Sequence, residues 1–109
     1  MRVLLDEDLR HRLRHCIPNH EVFTVGYMGW KVLKNGEFLR TAEGAGFEVF
    51  VTGDKKLSSQ QNLTGRKVAA VVLSAQKMDQ LRPHLQAIND AINKAEPGTV
   101  CKVDCSTGD

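Results

Sequence analysis

The chain has 109 residues, of which 41% are hydrophobic, and its 15 basic and 13 acidic side chains leave a net charge of +2. That length and apolar content suffice for one domain with its own core. The charge balance singles out no nucleic-acid or acidic-substrate class, and no apolar stretch reaches the roughly 18–20 residues that a membrane span needs. Cys16, Cys101 and Cys105 are odd in number and lack CxxC spacing, so they read as reduced thiols rather than a disulfide framework or a zinc site. The start of the chain shows no basic region followed by an apolar run and a small-residue cleavage site, and the expected location is cytoplasmic.

Five apolar runs alternate with segments of helical period. Val3-Leu4-Leu5 predicts a first strand that stops at Asp6. Leu9, Leu13 and Cys16 then recur at helical spacing, with Arg10, Arg12 and Arg14 on the solvated side, until Pro18 and Asn19 end the helix. His20 to Val25 predicts a second strand, rich in β-branched and aromatic residues. Gly26 to Lys34 reads as a loop with at most one helical turn. Asn35 can cap a helix carrying Phe38, Leu39, Ala42 and Ala45, with Glu37 well placed in its positive first turn and Gly44 and Gly46 closing it. Phe47 to Thr52 predicts the third strand, followed by Gly53-Asp54.

Lys55 to Thr64 reads as a short helix and a turn. Val68 to Leu73 is too continuously apolar for a one-sided strand and predicts burial on both faces. Met78, Leu81, Leu85, Ile88, Ile92 and Ala95 then mark an amphipathic helix, broken or kinked near Pro83. Pro97-Gly98 turns the chain into a last strand, Thr99 to Val103, and the small polar residues from Asp104 to Asp109 predict a frayed tail.

This alternation predicts a single-domain three-layer α/β/α fold: a mostly parallel five-stranded Rossmann-like sheet with right-handed crossovers. The suggested strand order is 2-1-3-4-5. Such sheets place ligand sites at the carboxyl ends of their strands, where the order reverses. That position falls between the first and third strands, so Asp6 and Asp54 would face one crevice. Carboxylates brought together repel, and burying one costs several kcal/mol unless something neutralises it. A divalent cation with hard oxygen ligands, Mg²⁺ or Mn²⁺, is the usual remedy. An Asp after a strand also caps the following helix, and Asp6 or Asp8 can serve in that way alone.

The blocks Val3-Leu4-Leu5-Asp6-Glu7-Asp8-Leu9, Asn35-Gly36-Glu37-Phe38-Leu39 and Val49-Phe50-Val51-Thr52-Gly53-Asp54 resemble, in order and spacing, the three motif blocks of PIN-like domains. The most similar branch is the small bacterial one related to VapC-type toxins. The resemblance implies a PIN-like domain over residues 1–103 and a tail over 104–109. It also implies a metal-dependent ribonuclease, the toxin of a toxin–antitoxin pair, with RNA as substrate, a small antitoxin as partner and a homodimer as assembly. Residue by residue, it implies Asp6 and Asp54 as catalytic and metal-holding acids, with Asp8 a further metal ligand. The acid that opens the family's helix falls on Asn35 here, and Glu37 is the nearest carboxylate that can act for it. An amide is a weaker, uncharged ligand, so a catalytically degenerate PIN-like binding module is an alternative.

Arg10, Arg14, Lys55 and Lys56 are candidate contacts for RNA phosphates, or simply solvated charges. Tyr27 and Trp30 are candidates to stack on a base, or to cover the core. Gln60, Gln61 and Asn62 either line the rim beside Asp54 or form a polar turn. A phosphoacceptor receiver domain is a rival, with Asp6, Glu7, Asp8, Asp54, Ser74 and Lys102 laid on its plan. Lys102 falls inside the last strand pattern, however, and no Pro follows it.

Overall fold

The most apolar stretches become five short strands: β1 (Arg2–Leu5), β2 (Glu21–Thr24), β3 (Val49–Thr52), β4 (Ala69–Leu73) and β5 (Val100–Val103). The computed structural model describes residues 1–9, 11–18, 20–33, 35–53, 63 and 66–105. The strands form one sheet of order β2-β1-β3-β4-β5 in which every pairing is parallel. Parallel register sets Leu4, Phe50 and Ala70 side by side, and Leu5, Val51 and Val71 likewise. Neighbours in register share a face, so these two rows are opposite sides of the sheet.

Each side is covered. Val3, Leu5, Val49, Val51, Val71 and Leu73 pack with Leu9, Leu13, Ile17, Leu81, Ile88 and Ile92. Leu4, Phe50, Ala70 and Val72 pack with Val25, Leu39, Ala42, Phe47 and Leu63. Burial on both faces is what an all-parallel sheet requires, and it explains why all five residues of β4 are buried.

The covering layers are short helices. A 3-10 helix (His11–Cys16) follows β1, a single turn α1 (Val25–Met28) follows β2, and α2 (Asn35–Gly44) leads into β3. After β4 come α3 (Met78–Leu81), a 3-10 turn (Arg82–His84) and α4 (Leu85–Lys94). Pro83 therefore sits in the break expected of it. The α-helical period after β1 resolves instead as 3-10. Six residues gain little from α-helical cooperativity, and Pro18 bars its predecessor from the α region. The expected helix over Lys55 to Thr64 falls, apart from Leu63, outside the described residues.

Gly46 terminates α2. Its φ of 88° is the left-handed conformation that favours glycine. The Gly46 amide donates to the Glu43 carbonyl and the Phe47 amide to the Ala42 carbonyl, which is a Schellman closure. Ala42 and Phe47 meet in the core beneath it.

The crossovers do not share one hand. From β1 to β2 the chain moves toward one edge of the sheet, with its 3-10 helix on the Leu5 face. From β2 to β3 it moves the opposite way with α2 on the Leu4 face. Reversing both direction and face preserves handedness. From β4 to β5 the chain moves in the same direction as from β2 to β3, yet α4 lies on the Leu5 face. That connection has the opposite hand, a departure from the usual uniformity and from the right-handed expectation. It closes the Leu5 face over β4 and β5.

The end of the chain is also better fixed than expected. Cys105 is 1% exposed within the core, and its amide donates to Ser74 Oγ at 2.6 Å. Residues 106–109 of the expected tail fall outside the described residues. Among the described residues no helix is long and apolar enough to cross a membrane.

Two measurements check this packing. Ile92→Ala, at a fully buried position of α4, should lower unfolding free energy by about 2–4 kcal/mol in urea titrations, while Ala87→Ser on the exposed side should change it by less than about 0.5 kcal/mol. Burial pushes the Cys105 thiol pKa up; Asp104 adds to the rise and the Ser74 hydrogen bonds offset part of it. A raised folded pKa means that this group's stabilisation is complete below the unfolded thiol value of about 8.5 and is lost as pH climbs toward the folded value. Melting temperature should therefore fall more steeply above pH 8 in the unmodified protein than in Cys105→Ala.

Candidate functional site

β1 and β3 lie side by side, but the chain leaves β1 toward β2 and leaves β3 toward β4. Loops that part in this way open a crevice at the carboxyl edge of a parallel sheet. Asp6, Glu7 and Asp8 enter it directly from β1. The Asp6 amide donates to the Val51 carbonyl at 2.9 Å, extending the β1–β3 ladder past the last apolar residue. The Leu9 amide then donates to the Asp6 carbonyl at 3.2 Å, so the acidic triplet occupies a closed turn.

The three carboxylates fan out to different strand ends. Asp6 Oδ1 accepts from the Glu7 amide at 2.8 Å. Asp6 Oδ2 accepts from the Thr52 hydroxyl at 2.6 Å, a charge-assisted bond from a side chain that is 0% exposed. Glu7 reaches toward α1, just beyond β2, where the Gly26 amide donates to its Oε1 and Lys31 Nζ lies 3.9 Å from its Oε2. A Cβ on Gly26 would run into that Glu7 carboxylate. Asp8 reaches the other way, accepting from the Gly53 amide at 3.2 Å and from Gln76 Nε2 at 3.4 Å.

The donor type at Asp6 suits a hard divalent cation. A carboxylate offers about four lone-pair sites, and these two hydrogen bonds engage one on each oxygen. Among the described residues no group of three or more His, Cys, Asp or Glu side chains is gathered to hold a metal. Asp54, the second expected acid, lies outside the described residues, as do Arg10, Lys55, Lys56, Gln60, Gln61 and Asn62.

The remaining candidates are dispersed. Asn35 is the first residue of α2 and Glu37 is exposed in its first turn. α2 must return antiparallel to the strands, so that turn lies at the carboxyl edge. Arg14 is exposed in the last turn of the 3-10 helix, which runs away from that edge. Trp30 covers the core, its ring edge-on to Phe38 and Phe47, whereas Tyr27 is 74% exposed and tilted against Phe23. Ser74 bonds to Asp104 and the Cys105 amide. Lys102 is exposed on β5 in register with Val72, within the strand rather than at its end.

Gln76, Lys31 and the buried Thr52 hydroxyl carry contacts to the triplet that sequence reading missed. Only Thr52 had a signal, as part of the third block. Gln76 and Lys31 sit in polar stretches with no distinguishing pattern. Compared with family models, curated proteins and solved structures, the chain gives no match.

Thr52→Val keeps the shape and removes the hydroxyl that holds Asp6. It should cost about 1–2 kcal/mol in denaturant unfolding near neutral pH, with Thr52→Ser losing less. Equal stability of Thr52→Val and the unmodified protein would show that the bond contributes nothing net.

Proposed function

We propose that the chain is a metal-dependent ribonuclease of PIN-like type, acting in the cytoplasm as the toxin of a toxin–antitoxin pair. The observation that carries this reading is the Asp6 carboxylate. It stands at the reversal point of a parallel sheet, aimed by the Thr52 hydroxyl and the Glu7 amide, with lone pairs left over for a cation. The three-block resemblance supplies the chemistry to go with it.

In this reading Asp6 and Asp54 hold Mg²⁺ or Mn²⁺, with Asp8 beside them and Glu37 serving for the acid absent at Asn35. Bound metal would activate a water and offset charge on the phosphate and the leaving oxygen. The chain's own residues bind and orient. Thr52 fixes the rotamer of Asp6, Glu7 ties the turn to α1, and Arg10, Lys55 and Lys56 are the cations offered to RNA phosphates, Arg14 being carried away from the crevice by its helix. Glu37 lies about 200° around the helix from Asn35 at 3.6 residues per turn, so the substitution is awkward and the enzyme slow. A small antitoxin and a second copy of the chain are the partners this reading entails.

Mn²⁺ at a hundredfold its dissociation constant should stabilise the folded chain by about 2.7 kcal/mol, roughly 10 °C in melting temperature for a domain of this size. The double change Asp6→Asn, Asp54→Asn should abolish that rise and stabilise the metal-free protein by relieving repulsion. On denaturing gels with mixed RNA and Mn²⁺, Asp6→Asn should remove cleavage, Glu37→Gln lower it and Asn35→Asp raise it. Cleavage by Asp6→Asn at the unmodified rate would sink the assignment.

A further inference from the structure

Asp8 and Gln76 together join two strand ends to the β1 turn. Both oxygens of Asp8 accept from donors on other strand ends: Oδ1 from the Gly53 amide just after β3, and Oδ2 from the Gln76 side-chain amide just after β4. Gln76 also lies across Gly53. A Cβ on Gly53 would come within 2.8 Å of Gln76 Cγ, 3.2 Å of its Nε2 and 3.3 Å of Asp8 Oδ2. A side chain at position 53 would therefore have to displace Gln76 or Asp8. The β1 turn, the end of β3 and the end of β4 meet at this one point, one residue before Asp54.

We infer that Asp8 is a positioning residue rather than a metal ligand, and that Gln76 is its partner, the two fixing the end of β3 against the β1 turn. Both donors of Asp8 come from the strand ends that it ties together, whereas Asp6 accepts from its own turn and from Thr52. The consequence for cleavage rests on the ribonuclease reading; the consequence for the Gly53 amide does not.

Exchanging donor and acceptor tests the pair. Asp8→Asn leaves a pair that the Gln76 amide can rematch by turning over, whereas Gln76→Glu sets two carboxylates against each other. In the double variant the new amide at position 8 donates to the new carboxylate at position 76 while still accepting from Gly53. Gln76→Glu should speed hydrogen exchange of the Gly53 amide about tenfold and slow Mn²⁺-dependent RNA cleavage about tenfold, within the coupling expected of contacting residues, while Asp8→Asn should change each by less than about threefold. The double variant should return both to within about threefold of the unmodified protein. Gln76→Ala, at an exposed position, should give a smaller loss of both and serves where Asp8→Asn does not fold. If Gly53 exchange is unmoved by both Gln76 variants, the pairing is wrong. If Asp8→Asn keeps Gly53 protection but loses cleavage, Asp8 is a ligand and the inference falls. If the unmodified protein cleaves no RNA, the ribonuclease reading fails by itself, and recovery of Gly53 protection in the double variant still decides the pair.

Discussion

The hydrogen bond from the Asp6 amide to the Val51 carbonyl fixes the geometry of everything at the carboxyl edge. It carries the pairing of β1 and β3 one step beyond the apolar core, so the first acidic residue emerges at a defined height and is committed to the third strand. Once Asp6 is held there, the closed turn through Leu9 leaves Glu7 and Asp8 directed to opposite flanks. Leu9 itself drops back into the core at 2% exposure. The acids are thus suspended between two buried anchors, Leu5 and Leu9, and their separation reflects backbone geometry more than mutual repulsion.

Each acid answers its local shortage of positive potential differently. Glu7 has a backbone amide and an exposed lysine, and an ion pair of that exposure contributes little beyond orientation. Asp8 has a backbone amide and a side-chain amide. Asp6 has a backbone amide and a buried hydroxyl that is committed to it in a tight 2.6 Å contact. A run of three consecutive carboxylates is therefore three distinct environments, and net charge alone misdescribes it.

The fold was legible because its signals are local and redundant. Val3-Leu4-Leu5, Val49-Phe50-Val51 and the unbroken run from Val68 to Leu73 declare strands buried on both sides, and the steps of three and four from Met78 to Ile92 declare a helix. Alternation of element types implies a parallel sheet; the order 2-1-3-4-5 is a choice among doubly wound arrangements, and the sheet has it. The opposite hand of the last crossover was not legible, because Ile88 and Ile92 say that α4 has an apolar side but not which face of the sheet it meets. In the site, Asp6 could be read from its place after a strand. Gln76 could not, since a polar residue in a short loop gains meaning only from Gly53 and Asp8 across the crevice. Small polar neighbours make Cys105 read as part of a frayed tail, yet a hydrogen bond to Ser74 and its burial bring it into the core.

The register of the sheet also bears on how the chain reaches its native state. Arg2 pairs with Glu21, Val3 with Val49, Val49 with Ala69 and Ala70 with Val100; none of these contacts joins residues close in sequence. Each requires closure of a long loop before any ladder bond forms, and such topologies fold slowly for their size. β1 leaves the ribosome before the other strands of its sheet, yet its second neighbour arrives only when Val49 to Thr52 have been made. Until then the buried side chains of Val3, Leu4 and Leu5 have one flank open, and synthesis itself sets the earliest moment at which the central strand can be enclosed.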